Sequence, residues 1–141
     1  MSGPAEEDVF QRLQPPPQEA TDRLAYLATE QIIPAAEREQ FGSFVQSLYE
    51  YGVLAGQCFA SAQGGPFASP TIEACVKRLR SMGVYGVGQT SWGPTIFAAA
   101  ENAIEAEVLC TACHADPFWQ DAEFTIASAD NAGATIDVGW L

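Results

Sequence analysis

The order of apolar patterns along the chain predicts an α+β domain, with helices packed on one face of a mainly antiparallel sheet. Three observations carry this reading. Helical spacing dominates from Leu24 to Met82, extended runs take over from Val84 to Ala98, and two more extended runs follow a helical segment near the end. With 141 residues, 48% of them hydrophobic, the chain is long enough to bury one autonomous core. Residues 1–18 stand apart as an N-terminal extension and proline-rich linker, and residues 19–141 are expected to form the domain.

Each element has its own signal. A short helix is expected around Glu6–Leu13, ended by Pro15, Pro16 and Pro17, a run that cannot continue a helix and reads as a hinge. Leu24, Leu27 and Ala28 suggest a second helix to about Gln31, with Pro34 breaking or restarting it. Phe41, Val45, Leu48, Gly52, Ala55 and Phe59 recur at four and three, which is one face of a long helix. Gly52 and Gly56 on that helix would let another element approach closely. Residues 60–69 read as a loop, and Ser69 followed by Pro70 is an N-cap with proline at the first helical position. Ile72, Cys75, Val76, Leu79 and Met82 then line one face, and Gly83 sits where a left-handed C-terminal cap belongs. After it the pattern predicts a strand over Val84–Val87, a loop over Gly88–Pro94 and a strand over Thr95–Ala98. A helix over 101–115 follows, and Ala122–Ser128 and Ala134–Val138, joined by Asp130–Gly133, read as a terminal hairpin or consecutive strands.

Charge excludes several functions. Eighteen acidic against six basic side chains leave a formal charge of −12, which repels nucleic-acid phosphates and anionic headgroups. Neither nucleic acid nor membrane is an expected partner. No run approaches the ~20 apolar residues that span a bilayer, and Glu6, Glu7 and Asp8 are the reverse of a basic signal sequence, so a cytoplasmic location is expected. Half of the cations, Lys77, Arg78 and Arg80, lie within four residues, and a phosphate held by this chain would depend on backbone N–H groups.

The segment from Gly83 to Thr95, GVYGVGQTSWGPT, concentrates such groups. Its glycines permit close backbone approach, Gln89, Thr90 and Ser91 add neutral donors and acceptors, and Trp92 supplies a stacking face. The alternative is a tight β-connection with a buried tryptophan. The run Gly88-Gln89-Thr90-Ser91-Trp92-Gly93-Pro94-Thr95 resembles the third motif of the β-ribofuranosylaminobenzene 5'-phosphate synthase family of the GHMP superfamily, with Thr90 in place of the motif's first serine. Supporting similarities are Gln63-Gly64-Gly65, Ser2-Gly3 with Glu6 and Phe10, Pro34-Ala35 with Phe41-Gly42, and Asn131-Ala132-Gly133-Ala134.

That resemblance implies a GHMP C-terminal domain, a ferredoxin-like antiparallel sheet with helices, collinear with the family's C-terminal half. The family joins phosphoribosyl pyrophosphate to a para-substituted benzoate in tetrahydromethanopterin synthesis, with release of carbon dioxide and pyrophosphate. By resemblance Gly88, Gln89, Thr90, Ser91, Trp92, Gly93 and Pro94 would line the substrate site, joined by Gln63, Gly64 and Gly65. Trp92 is expected to be partly exposed at a cleft. The superfamily's phosphate loop, which belongs to the N-terminal half, has no counterpart in this sequence, and no residue is assigned a catalytic role. The chain is therefore expected to be inactive alone and to associate with an N-terminal GHMP half or with its own copy. No cofactor is expected in this chain, and any Mg²⁺ belongs to the complete family enzyme. A non-catalytic binding or assembly module with the same fold is the alternative.

The cysteines carry competing readings. Cys110-Thr-Ala-Cys113-His114 matches C-x-x-C-H, the attachment signature of c-type haem, which makes a small electron carrier a further alternative. Zinc held by these three residues with Cys58 or Cys75 is another, and catalysis by a cysteine beside His114 a third. Against all three, Ala103, Ala106, Cys110 and Cys113 repeat at three, four and three, the small-residue stripe that close helix packing needs, and all four cysteines sit inside apolar or helical patterns and read as reduced core residues.

Overall fold

The computed structural model describes residues 4–133. They form an α+β architecture: seven α-helices, a π-helical segment, a short 3₁₀ turn and a two-stranded antiparallel sheet among the described residues. The chain divides into two compact units, Met1–Glu101 and Asn102–Leu141.

In the first unit, α1 (Pro4–Arg12) is followed by the three prolines, which adopt no regular structure and deliver Pro17 in an extended conformation to the start of α2 (Gln18–Tyr26). Helix α2 does not stop near Gln31. It runs through a π-helical segment, Leu27–Ile32, directly into α3 (Ile33–Glu37), and Pro34 sits in the first turn of α3. The physical reason is the proline. It offers no N–H to the carbonyl four residues back and its ring crowds that carbonyl, and a widened turn accommodates both defects. Ile33 N–H accordingly donates to the carbonyl of Ala28, five residues earlier. Leu27 and Ala35 from this continuous rod are buried.

Helix α4 (Phe41–Gln57) crosses the unit, and the Arg23 guanidinium of α2 holds its Glu50 carboxylate in an ion pair. Residues 60–69 are not wholly loop, because Ala60–Gln63 make a four-residue helix, α5, which ends at Gly64 with φ +85°. Helix α6 (Pro70–Ser81) has the caps its sequence specifies. Ser69 Oγ accepts from Ile72 N–H at 3.2 Å, and Gly83, at φ +89°, closes the C-terminus. Gly83 N–H donates to Arg80 O and Val84 N–H to Leu79 O, the paired bonds of a Schellman cap. Ile72, Val76 and Leu79 are buried, together with Val45, Phe67 and Val87.

The sheet differs from its expected bounds. Strand β1 is Val87–Gln89, not Val84–Val87, and β2 is Ile96–Ala98. Val84 cannot join the ladder because its N–H belongs to the helix cap, and the carbonyl of Tyr85 accepts from Arg80 Nη1 at 3.0 Å. Gly88 and Gln89, expected in the loop, are strand residues paired with Phe97 and Ile96. Gly88 is there for close approach, since a Cβ on it would lie 2.9 Å from the Phe97 ring.

In the second unit, Asn102 caps α7 (Ala103–Ala115) by accepting from Glu105 N–H at 3.0 Å. Cys113 is buried, Ala106 and Cys110 are half-buried and Ala103 is exposed, so the small-residue stripe deepens along the helix. A 3₁₀ turn, Pro117–Trp119, leads to a ring cluster in which Phe118 and Phe124 meet the buried Trp119 edge-on. Ala122–Ser128 forms no strand. Its alternation supplies extended chain, but a strand needs a hydrogen-bonded neighbour, and no neighbour pairs with it among the described residues. Ala134–Val138 lies outside the described residues.

Candidate functional site: an uncharged aromatic cleft

Between the C-terminal half of α4 and the β1–β2 hairpin lies a cleft of about 350 Å³. Its walls follow from the sequence pattern already described. The stripe Leu48, Gly52, Ala55 and Phe59 continues the face that buries Val45, but from Leu48 onward it lines the cleft. Gly52 is open to it, since a Cβ there would meet nothing within 4 Å. Gly56 lines it too, but also serves packing. A Cβ there would lie 2.0 Å from the carbonyl oxygen of Pro66, so only glycine lets the 60s loop close against α4.

The opposite wall is the hairpin. Thr90 N–H donates to Thr95 O at 2.9 Å, which extends the ladder one pair beyond Gln89 and Ile96 and leaves residues 91–94 as the connection. Inside it Ser91 has φ +46°, Gly93 has φ +67°, and the Gly93–Pro94 peptide is cis. Gly93 N–H turns inward to the carbonyl of Thr90 at 2.8 Å, and Thr90 Oγ1 donates to Thr95 O at 3.1 Å. This geometry carries Trp92 over the end of α4, where its ring meets Phe59 edge-on, with centroids 5.1 Å apart and planes at 77°.

Of the residues expected at a site, the fold brings Gly88, Gln89, Ser91, Trp92 and Gln63 to the cleft surface. Thr90, Gly93, Pro94, Gly64 and Gly65 are not among its lining residues. The two glutamines act as braces. Gln89 Oε1 accepts from Ala68 N–H at 2.7 Å while its Nε2 donates to Ser91 O at 2.8 Å, tying the 60s loop to the hairpin connection. Gln63 Nε2 donates to the carbonyls of Gly56 and Gly65 at 3.2 and 3.0 Å. Three contributors lie outside the residues expected at the site: Phe97 under the hairpin, Phe67 before α6, and Phe10 from α1.

No charged side chain among the described residues lines the cleft, and no phosphate-neutralising cation faces it. Its chemistry is that of an apolar, aromatic-walled pocket, suited to a planar ring and not to a phosphate. A more open depression of about 360 Å³ lies beside Arg23, Glu50 and Gln57 and has one aromatic residue, Tyr49, in its lining.

Known proteins place nothing beside this geometry. No family model, curated protein or solved structure matches the chain.

The C-x-x-C-H segment lies on α7. His114 Nδ1 donates to the carbonyl of Cys110 at 2.8 Å, and its ring packs on Phe124 at 4.9 Å. Burial, reinforced by Cys110 and Asp116, raises the Cys113 thiol above its ordinary range, and burial does the same to Cys75. Burial thus disfavours the thiolate, the form that attacks and ligates. All four cysteines are free thiols, and no group of three histidine, cysteine or acidic side chains is arranged for a metal ion among the described residues. No helix among the described residues is long and apolar enough to cross a membrane.

Proposed function

We propose that this chain is the substrate-lining C-terminal half of a synthase like those that join phosphoribosyl pyrophosphate to a para-substituted benzoate. The observation that carries the reading is the cleft itself: the Gly88–Pro94 run, which resembles the family's third motif, contributes Trp92 to an uncharged aromatic pocket. The benzoate ring is assigned to that pocket, and an uncharged wall strips water from its carboxylate, which favours departure as carbon dioxide. The phosphates are assigned to an N-terminal GHMP half. Pyrophosphate release needs cations or Mg²⁺ aimed at developing negative charge, and this chain offers a net −12 and an uncharged cleft. The ferredoxin-like arrangement and a cytoplasmic location belong to the same proposal, and the α+β architecture supports its coarser part.

The test is a product assay with phosphoribosyl pyrophosphate and 4-hydroxy- or 4-aminobenzoate, run with the chain alone and with an N-terminal GHMP half added. Product only in the second arm is expected. Turnover by the 141-residue chain alone, or none in either arm, removes the reading. A second reading, a binding or assembly module without catalysis, is favoured by one observation: the amides of Gln63 and Gln89 are engaged with backbone groups and not directed at a ligand.

A further inference from the structure

The mouth of the cleft holds a third ring from a distant part of the chain. Phe10, on α1, meets Phe59 edge-on with centroids 6.0 Å apart and planes at 87°, and meets Trp92 at 6.1 Å and 74°. Phe59 and Trp92 already form an edge-on pair, so the three rings are mutually in contact, and Phe10 covers ring surface on both that a bound aromatic group would use.

The attachment of α1 is slight. Val9 and Leu13, one turn apart on the same face, are half-buried, whereas Glu7, Asp8, Gln11 and Arg12 are exposed. Its one described ion pair, Arg12 to Asp8, lies within the helix and so does not fasten it to the rest. Phe10 itself remains 53% exposed, which is far from the enclosure of a core phenylalanine. Beyond it the chain passes through Pro15, Pro16 and Pro17, a stiff extended spacer that separates α1 from α2. A helix this short has little stability apart from its docking.

We propose that α1 is an intramolecular strap, with Phe10 packed against Phe59 and Trp92 where an uncharged aromatic ligand would meet the same rings, and leaving when such a ligand binds. The proposal rests on reading the cleft as a ligand site, and goes beyond it by assigning the residue that covers part of its aromatic wall. In the closed form the apparent affinity for a ligand is lowered by the fraction of molecules whose strap is open. Any partner that draws α1 away therefore raises that affinity.

The experiment titrates the full chain and its Phe10→Ala variant with N-phenylnaphthylamine, a neutral aromatic probe that fluoresces when it leaves water. Phe10→Ala is expected to bind the probe roughly fivefold or more tightly, because the competing ring is gone. Equal affinity, weaker binding, or no binding by either chain overturns the proposal, weaker binding because it would make Phe10 part of the wall. Amide hydrogen exchange on the unaltered chain is the second measurement and does not depend on the variant folding. Exchange across Pro4–Arg12 should accelerate when the probe saturates, and unchanged or slower exchange contradicts release of the strap. Failure of the product assay would remove the synthase reading and leave both outcomes intact, since they report on the cleft and not on the reaction.

Discussion

Two glycines one turn apart on α4 both line the cleft but differ in what a side chain there would meet. Gly56 lies against the Pro66 carbonyl and Gly52 faces open space. Gly56→Ala is therefore expected to lower the unfolding free energy by about 1–3 kcal/mol through forced backbone displacement. Gly52→Ala should raise it by about 0.5–1 kcal/mol, the usual gain from removing a mid-helix glycine where the new methyl meets nothing. Urea denaturation of the two variants checks both signs, and a loss at Gly52 would mean that the cleft floor is closed. The thiols give a second expectation at this scale. Burial raises Cys75 and Cys113 in the folded chain, so the unfolded chain ionises first, and stability present at neutral pH is lost as pH climbs through the ordinary thiol range near about 8.5. Between about pH 7 and pH 9.5 the urea midpoint should fall more steeply for the unaltered chain than for Cys75→Ala. A parallel fall in both would contradict the assignment.

Helix α6 shows what local chemistry makes legible. Ser69, Pro70 and Gly83 act on the chain within a few residues of themselves, so both caps could be read without knowing the fold. Ser69→Ala should cost about 1 kcal/mol by removing the acceptor for Ile72 N–H, and thermal denaturation monitored by circular dichroism measures it. The adjoining strand was less legible for a related reason. Val84 looks extended by composition, yet its N–H completes the helix cap, and the ladder begins only where Val87 faces Ala98. Gly88 and Gln89 suggested a loop by residue type, while their pairing is set by Phe97 and Ile96 across the hairpin, a non-local term. The continuous rod from α2 to α3 was hidden behind Pro34, because the π-helical turn that absorbs the proline has no compositional signature.

At the scale of the whole molecule, periodicity identified which face of α4 is apolar but not what covers it. Val45 meets the core, whereas Leu48 through Phe59 meets the cleft, and the difference depends on where the hairpin carries Trp92. Phe10 was harder still, since nothing in a nine-residue acidic helix before three prolines announces a partner nearly fifty residues away at Phe59. The account rests on one physical statement: the uncharged pocket between α4 and the hairpin takes an aromatic ring. Titration of the ¹⁵N-labelled chain with 4-hydroxybenzoate tests it most directly. The predicted result is a set of saturable shifts centred on the amides of Gly52, Val87 and Gly88 and on the Trp92 indole N–H, with α2 and the second unit unmoved. Shifts that avoid these four groups, or none up to the solubility limit of the ligand, would contradict it.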